Sequence, residues 1–312
     1  MSSFHLDDNF NLALKAQALD MRARLISSIR HFFIQQDFLE VETPLRIPAP
    51  APEEHIEAIP SGNWFLQTSP ELCMKRLLAA GYPRIFQISK CFRAAERGSR
   101  HLPEFTMLEW YVAQFDYCQL MDQCEAMLIT AFKDMGHDQK IIWQNKKINL
   151  ASPWERISVA ETFSKYAPIT CQQALDQDTF DEIMVDYIEP RLGIDRPTFI
   201  YDYPAKLAAL AKIKKSDPAV AERVELYIGG LELANGFSEL TDAREQRQRF
   251  EEASEARALK KWALYPMPAK FLNSLETLPS CAGIALGIDR LAMILADKAT
   301  IDDVVAFTSE TL

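Results

Sequence analysis

The chain has 312 residues, 48% of them hydrophobic, which suits one large globular domain or two ordinary ones. No window approaches the roughly 18 consecutive apolar residues of a membrane span, and the opening MSSFHLDDNFNLALKAQALD lacks a basic flank followed by an apolar run, so a cytoplasmic protein with no membrane partner is expected. A net charge of −10, from 44 acidic and 34 basic residues, disfavours stable binding to a nucleic-acid backbone and favours a small molecule, a cationic substrate or a basic protein partner.

Residues 8–37 read as a helix, with Leu19, Leu25, Ile26, Ile29, Phe32 and Phe33 at mixed spacings of three and four. FLEVETPLRIP (38–48) reads as a short strand stopped by Pro44, with Pro48, Pro50 and Pro52 as an extended rim. WFLQTSPEL (64–72) reads as a strand and a turn; Ser69-Pro70-Glu71 then opens a helix through Ala80, with Ser69 as its N-cap. Arg84 to Arg93 reads as a strand, 94–103 as a loop and 104–112 as the returning strand. A helix is expected over 117–135, and in 139–222 only TFIYDYP (198–204) is legible, as a strand. VELYIGGLELANGFSEL (224–240) reads as a hairpin, followed by a charged helix to about Trp262. GIALGIDRLAMILA (283–296) reads as a strand running through glycines into a helix. Antiparallel strands mixed with helices imply an α+β fold rather than a doubly wound parallel one. The six cysteines (73, 91, 118, 124, 171 and 281) show no CxxC and no paired histidines, so neither a disulfide framework nor a zinc site is indicated.

Three stretches carry chemistry. In Glu104–Val112 side chains alternate, so Phe105, Met107, Glu109 and Tyr111 share one face, with Arg93 ending the partner strand. An arginine can grip a phosphate through paired hydrogen bonds, a flat ring can stack on a base, and Glu with Tyr can hold an ammonium group. In the hairpin, a Gly229-Gly230 turn sets Tyr227 opposite Glu232 and Glu225 opposite Ala234. Glu225 and Glu232 then repel each other on one face unless a cation such as magnesium sits between them. In GIALGIDRL, Gly283 and Gly287 permit close backbone approach before Arg290. Lys75, Arg76, Arg97 and Arg100 read as solvated, or as a basic strip for an acidic partner.

Together these stretches resemble the three signature motifs of class II aminoacyl-transfer-RNA ligases: the first around Pro44, the second in CFRAAERGSRHLPEFTMLEWY, the third in GIALGIDRLAM. TSPEL.MKRLLAAGYPRIFQISKCFR, PTFIYDYP and VELYIGGLELANGFSELTDAREQ resemble the lysine-specific branch, in order over nearly the whole chain. The first motif begins near residue 38, so no anticodon-reading N-terminal OB domain is expected, and 1–312 reads as one catalytic domain. The chain is thus most similar to the core-only members of that branch, which ligate (R)-β-lysine to a lysine of elongation factor P. Ala285, where the lysine ligases usually have glycine, agrees with a reshaped pocket.

The resemblance implies an ATP-dependent, AMP-forming ligase, a homodimer built through the first motif, and magnesium as cofactor. Arg93 would hold the substrate carboxylate and the α-phosphate, and Phe105 would stack on adenine. His101 and Arg290 would hold the outer phosphates, Glu225 and Glu232 the metal, and Glu96, Glu232, Leu233 and Gly287 would complete the ATP site. Glu71, Glu109, Tyr111 and Glu239 would surround the amines, with Ser69, Pro70, Asn235 and Phe237 lining the pocket. Two positions depart from the pattern. The family commonly has Glu two residues after the arginine, where this chain has Ala95 and then Glu96, and His-Asn where it has His101-Leu102. Each unmatched adenine contact costs about 1–3 kcal/mol unless loop backbone or Glu96 replaces it. The competing readings are a truncated lysine–transfer RNA ligase and a decayed, non-catalytic regulatory paralogue.

Overall fold

The computed structural model describes residues 12–312, so the first four residues of the helix expected over 8–37 lie outside the described residues. Its strands are β1 (Leu39–Glu40), β2 (Arg46–Ile47), β3 (Pro60–Ser61), β4 (Trp64–Leu66), β5 (Arg84–Phe92), β6 (Glu104–Ala113), β7 (Lys140–Trp143), β8 (Lys146–Asn149), β9 (Glu155–Ser158), β10 (Thr198–Pro204), β11 (Val220–Ile228), β12 (Leu231–Ser238) and β13 (Cys281–Gly287). Eight of them form one sheet in the order β1-β5-β6-β13-β12-β11-β10-β9. The two edge pairs, β1 with β5 and β9 with β10, are parallel, and every pairing between them is antiparallel. The α+β expectation holds.

Alternation along β6 divides the sheet. Leu108, Trp110 and Val112 face a core closed by α1 (Ala16–Gln35), which contributes Leu25, Ile29 and Phe33. Met107, Glu109 and Tyr111 face the other way, into a cavity. Helix α2 (Glu71–Ala79) covers one end of that second face, where Met74 and Leu78 pack with Ile85 and Tyr111. Helix α3 (Tyr117–Asp134) returns to the core face and starts at a capping box between Asp116 and Gln119. Helices α4 (Val159–Tyr166), α5 (Cys171–Asp176) and α6 (Phe180–Ile183) occupy the region that was not legible in the sequence; Phe180 of α6 lines the far side of the cavity, with Phe163 of α4 stacked against it. Helices α7 (Ala243–Leu259) and α8 (Ala269–Ser274) close the near side, and α9 (Ile288–Leu295) completes the core face.

Several expectations shift in detail. FLEVETPLRIP yields only β1 and β2, two residues each, in different sheets on either side of Pro44. The N-cap position of α2 falls on Pro70, although Ser69 Oγ still accepts the Glu71 amide at 3.0 Å. The charged helix stops at Leu259, short of Trp262. The Gly229-Gly230 turn is as expected, with both residues in the left-handed region at φ +64° and +77°. A Cβ on Gly229 would lie 2.3 Å from the Trp143 ring, which leaves glycine as the residue that fits. Tyr227 faces Glu232, but Glu225 faces Asn235 rather than Ala234. The reason is a bulge: the register shifts by one residue between Leu226 and Tyr227. All six cysteines are unpaired. Among the described residues no helix is long and apolar enough to cross a membrane.

Candidate active site

The sheet registers set the site out in rows. Tyr111, Gly283, Phe237 and Arg223 form one row, and Glu109, Ala285, Asn235 and Glu225 the next. Met107 and Gly287 follow, then Phe105 on β6 beside Cys91, two residues before Arg93. From Phe105 to Tyr111 the strand rises about 20 Å, the length of an extended nucleotide plus a small amino acid. A cavity of about 930 Å³ lies over these rows.

At the Phe105 end, Arg93 and Arg290 line the same cavity. The Arg93 guanidinium carbon stands 5.1 Å from the Phe105 ring centroid, and Nη1 is 3.6 Å from Glu96. Arg93 Nε is buried and has no partner among the described residues, a donor left for an anion. Arg290 donates to the Glu232 carbonyl at 2.8 Å and to its carboxylate at 3.2 Å, and also pairs with His101 Nε2. Its helix is anchored next door: buried Asp289 accepts the Thr106 amide at 2.6 Å and Arg22 Nη2 at 2.6 Å. Burial and the adjacent Arg290 push the His101 imidazole down, which favours its neutral form. Gly287 is not sterically required by the chain itself, because a Cβ there would come no closer than 3.7 Å to anything.

The departures in the second motif are local. Ala95 takes a left-handed conformation at φ +63°, and Leu102 is buried in the core. Arg97, expected to be solvated or part of a basic strip, is exposed and ties this loop to the C-terminal segment through Glu310 at 2.8 Å and Asp302 at 2.8 Å.

At the Tyr111 end the wall is acidic. Glu109 accepts from Ser69 at 2.6 Å and from Tyr111 at 2.8 Å. Burial, with Glu71 nearby, raises its carboxyl to about 7. Glu71 accepts from Lys75 at 2.5 Å. Glu239 is not on the cavity wall; it stands behind it, ion-paired to Lys75, with Oε1 left without a partner. Pro70 is likewise off the wall, while Ser69, Asn235, Phe237 and Leu233 are on it. Lys75 itself is fully buried, against the expectation of a solvated lysine. Burial alone would push its ammonium down, but Glu239 and Glu71 outweigh that and hold it up. A Cβ on Gly283 would lie 2.2 Å from the Tyr111 ring and 2.6 Å from Glu239 Oε1, so the glycine admits both.

The paired hairpin carboxylates share a face as expected, with Glu189 joining them. Burial and mutual repulsion raise Glu189, whose neighbours are Glu232 and Glu225. Burial raises Glu225 too, despite Arg223 at 2.7 Å; its other oxygen accepts from Tyr227 at 2.8 Å. Among the described residues no three His, Cys, Asp or Glu side chains form a ready metal cage. Glu225 and Glu232 offer carboxylate oxygens, the donor type that a hard cation takes.

Sequence reasoning missed Lys75, Arg223, Glu189 and Glu53. Lys75 lies four residues after Glu71 on one helix, and Arg223 two residues before Glu225 on one strand, so both had a periodic signal. Glu53 and Glu189 reach the cavity through irregular and distorted helical segments and had none.

A family model described as class II tRNA synthetases (D, K and N) matches residues 10–311. The elongation factor P–(R)-β-lysine ligase of Proteus mirabilis is 38% identical over 302 residues, covering 92% of this chain and 93% of that protein. The ligase of the same name from Pectobacterium carotovorum is 39% identical over 307 residues, covering 93% and 94%. That from Salmonella typhi is 38% identical over 304 residues, covering 92% and 93%.

Proposed function

The chain belongs to the class II tRNA synthetase family (D, K and N), and from that premise we propose that it activates (R)-β-lysine, or lysine, with ATP and transfers it to a lysine side chain of elongation factor P. One observation carries this reading. A single cavity has arginines at one end and uncompensated carboxylates at the other, as a triphosphate joined to a diamino acid demands.

In the first step an oxygen of the amino-acid carboxylate attacks the α-phosphorus of ATP. The bond to the β-phosphate breaks, and pyrophosphate leaves with the electron pair. Arg93 bridges carboxylate and α-phosphate, its buried Nε finding there the acceptor it lacks. Arg290 and neutral His101 hold the outer phosphates as charge moves onto them. Phe105 offers its ring to adenine once the Arg93 guanidinium turns toward phosphate. Glu232 and Glu225, with Glu189 beside them, would hold magnesium carried by the triphosphate, which supplies charge neutralisation there.

In the second step the amine nitrogen of the acceptor lysine attacks the acyl carbon. The bond to the phosphate oxygen breaks, AMP leaves, and the nitrogen gives up its proton. Ser69, Glu109 and Tyr111 keep the acyl group's own ammonium in place. The eight-stranded sheet, with the cavity over its central strands, supports a single catalytic domain. The exposed apolar side chains of Ile34, Leu39, Leu45 and Trp64, in and around the first motif, support a homodimer built there.

Incubation with ATP, (R)-β-lysine and elongation factor P, followed by intact mass, tests the reading. The factor should gain one aminoacyl group. Charging of lysine transfer RNA instead, seen on an acid gel, would favour the truncated-ligase alternative. Absence of binding heat with ATP and magnesium would favour a decayed site.

A further inference from the structure

The carboxylates around the cavity are not equivalent. Glu71 already holds Lys75, and Glu109 already accepts from Ser69 and Tyr111. Glu239 is the second partner of Lys75, Glu225 pairs with Arg223, and Glu232 with Arg290. Glu53 lines the same cavity, half-buried, and its carboxylate has neither a hydrogen bond nor an ion pair among the described residues. It shares the cavity wall with Arg93 and Glu71, and Glu71, Arg93, Arg223 and Lys75 all lie close enough to act on its charge.

Its position is built rather than incidental. Segment 51–58 has no regular structure, yet its backbone is clamped from behind. Arg257 on α7, fully buried, donates to the carbonyl of Glu53 at 2.9 Å and to that of Ile56 at 2.9 Å. It also donates to the Tyr265 hydroxyl at 2.9 Å, which in turn accepts the Ala58 amide at 2.8 Å. Along segment 51–58 the guanidinium takes up main-chain oxygens only, and leaves the Glu53 side chain free. Arg257 is thus a positioning residue for Glu53.

We propose that Glu53 is a further substrate-recognition residue, whose carboxylate meets the ammonium group nearest the reacting carboxyl of a diamino acid. Charge balance supports it. Lys75 neutralises one of the two acids it bridges, so its neighbourhood needs no further cation to be tolerable. Glu109 and Glu53 are the two wall carboxylates near the amine end that no internal cation touches, and a diamino acid brings two ammonium groups. The substrate carboxyl at Arg93 sets its nearest amine within a few carbons of that arginine, whose charge also reaches Glu53. Burial and Glu71 raise the Glu53 carboxyl to about 7, an energetic cost that a bound ammonium removes.

This inference rests on the diamino-acid reading above, and its test separates the two. Amino-acid-dependent ATP–pyrophosphate exchange is measured for wild type, E53Q and E53D with (R)-β-lysine. The inhibition constant of 6-aminohexanoate, which lacks the near amine, is measured alongside. E53Q should raise the KM for (R)-β-lysine by about tenfold or more, as for a lost charge-assisted hydrogen bond. Its kcat, its KM for ATP and the 6-aminohexanoate constant should stay within about twofold of wild type, and E53D should recover part of the affinity. An unchanged KM in E53Q, or an equal loss of 6-aminohexanoate affinity, overturns the role of Glu53 while leaving the ligase reading intact. Absence of exchange in the wild type with any diamino acid overturns both.

Discussion

Lys75 and Glu239 form an ion pair with neither side chain exposed at all, directly behind the wall of an acid-lined cavity. The same ammonium reaches Glu71 on that wall. An internal cation thus offsets the charge of two carboxylates, although burial still raises the Glu239 carboxyl to about 8, and it fixes how much negative charge remains for a ligand.

Lys75→Met should destabilise the protein by about 3–5 kcal/mol, because it strands two buried acids. Urea unfolding of the single and double variants checks this. K75M with E239Q should lose less than the sum of the two single losses, since the pair acts as a unit. Strict additivity would show that the two groups do not interact.

The two glycines of the third motif should behave differently. Gly283→Ala drives a methyl into Tyr111 and Glu239, and should cost about 1–3 kcal/mol and weaken amino-acid binding. Gly287→Ala has room and should stay within about 0.5 kcal/mol of wild type in stability. If Gly287 is kept bare for the nucleotide, the KM for ATP alone should rise. Thermal melts and exchange kinetics distinguish these outcomes.

Substrate binding should improve with pH. The Glu109 carboxyl titrates near 7 in the folded protein against an ordinary value of 4.5. A raised carboxyl binds its proton more tightly when folded, so its contribution to stability is present below pH 4.5 and is lost as pH climbs toward 7. An ammonium ligand needs the ionised form. The KM for the diamino acid should therefore fall as pH rises, approaching about tenfold per unit below 7, and level off above it. In Glu109→Gln that slope should lessen, with the share due to Glu53, also raised to about 7, remaining; a KM independent of pH between 6 and 8 in the wild type would contradict the assignment.

Arg290→Ala removes the partner of Glu232 and the charge proposed to face the outer phosphates. Adenylate formation should fall by about 100- to 1000-fold, the usual cost of one preorganised donor at developing charge. Stability should change little, since Arg290 is partly exposed. Burst kinetics of pyrophosphate release measure the step directly. Equal losses in adenylate formation and in transfer of a preformed adenylate would move the role away from the phosphates.

Much of the frame was legible. Alternation from Glu104 to Val112 foretold which side chains of β6 face the cavity. The Gly229-Gly230 pair foretold the turn and the Tyr227–Glu232 pairing. The next pairing failed because a one-residue bulge leaves no mark in local composition, and Glu225 meets Asn235 instead. Lys75 was misread because a lysine seldom lies fully buried unless paired, and its second partner is 164 positions away in sequence at Glu239. The short elements of 139–222 were opaque because helices of four to eight residues carry too few turns to show a period.

The sequence by itself determined the strand faces, the tight turn and the ordered motifs, and with them the family and the class of reaction. Those features depend on residues close together in the chain, where backbone geometry dictates the pattern. Only the tertiary structure decided which charges cancel one another. Lys75 with Glu239, Arg223 with Glu225 and the unpartnered carboxylate of Glu53 are outcomes of distance and desolvation among distant segments. Coulombic pairing falls off over a few ångströms and strengthens as water is excluded, so the acid that remains free for a substrate is settled by packing.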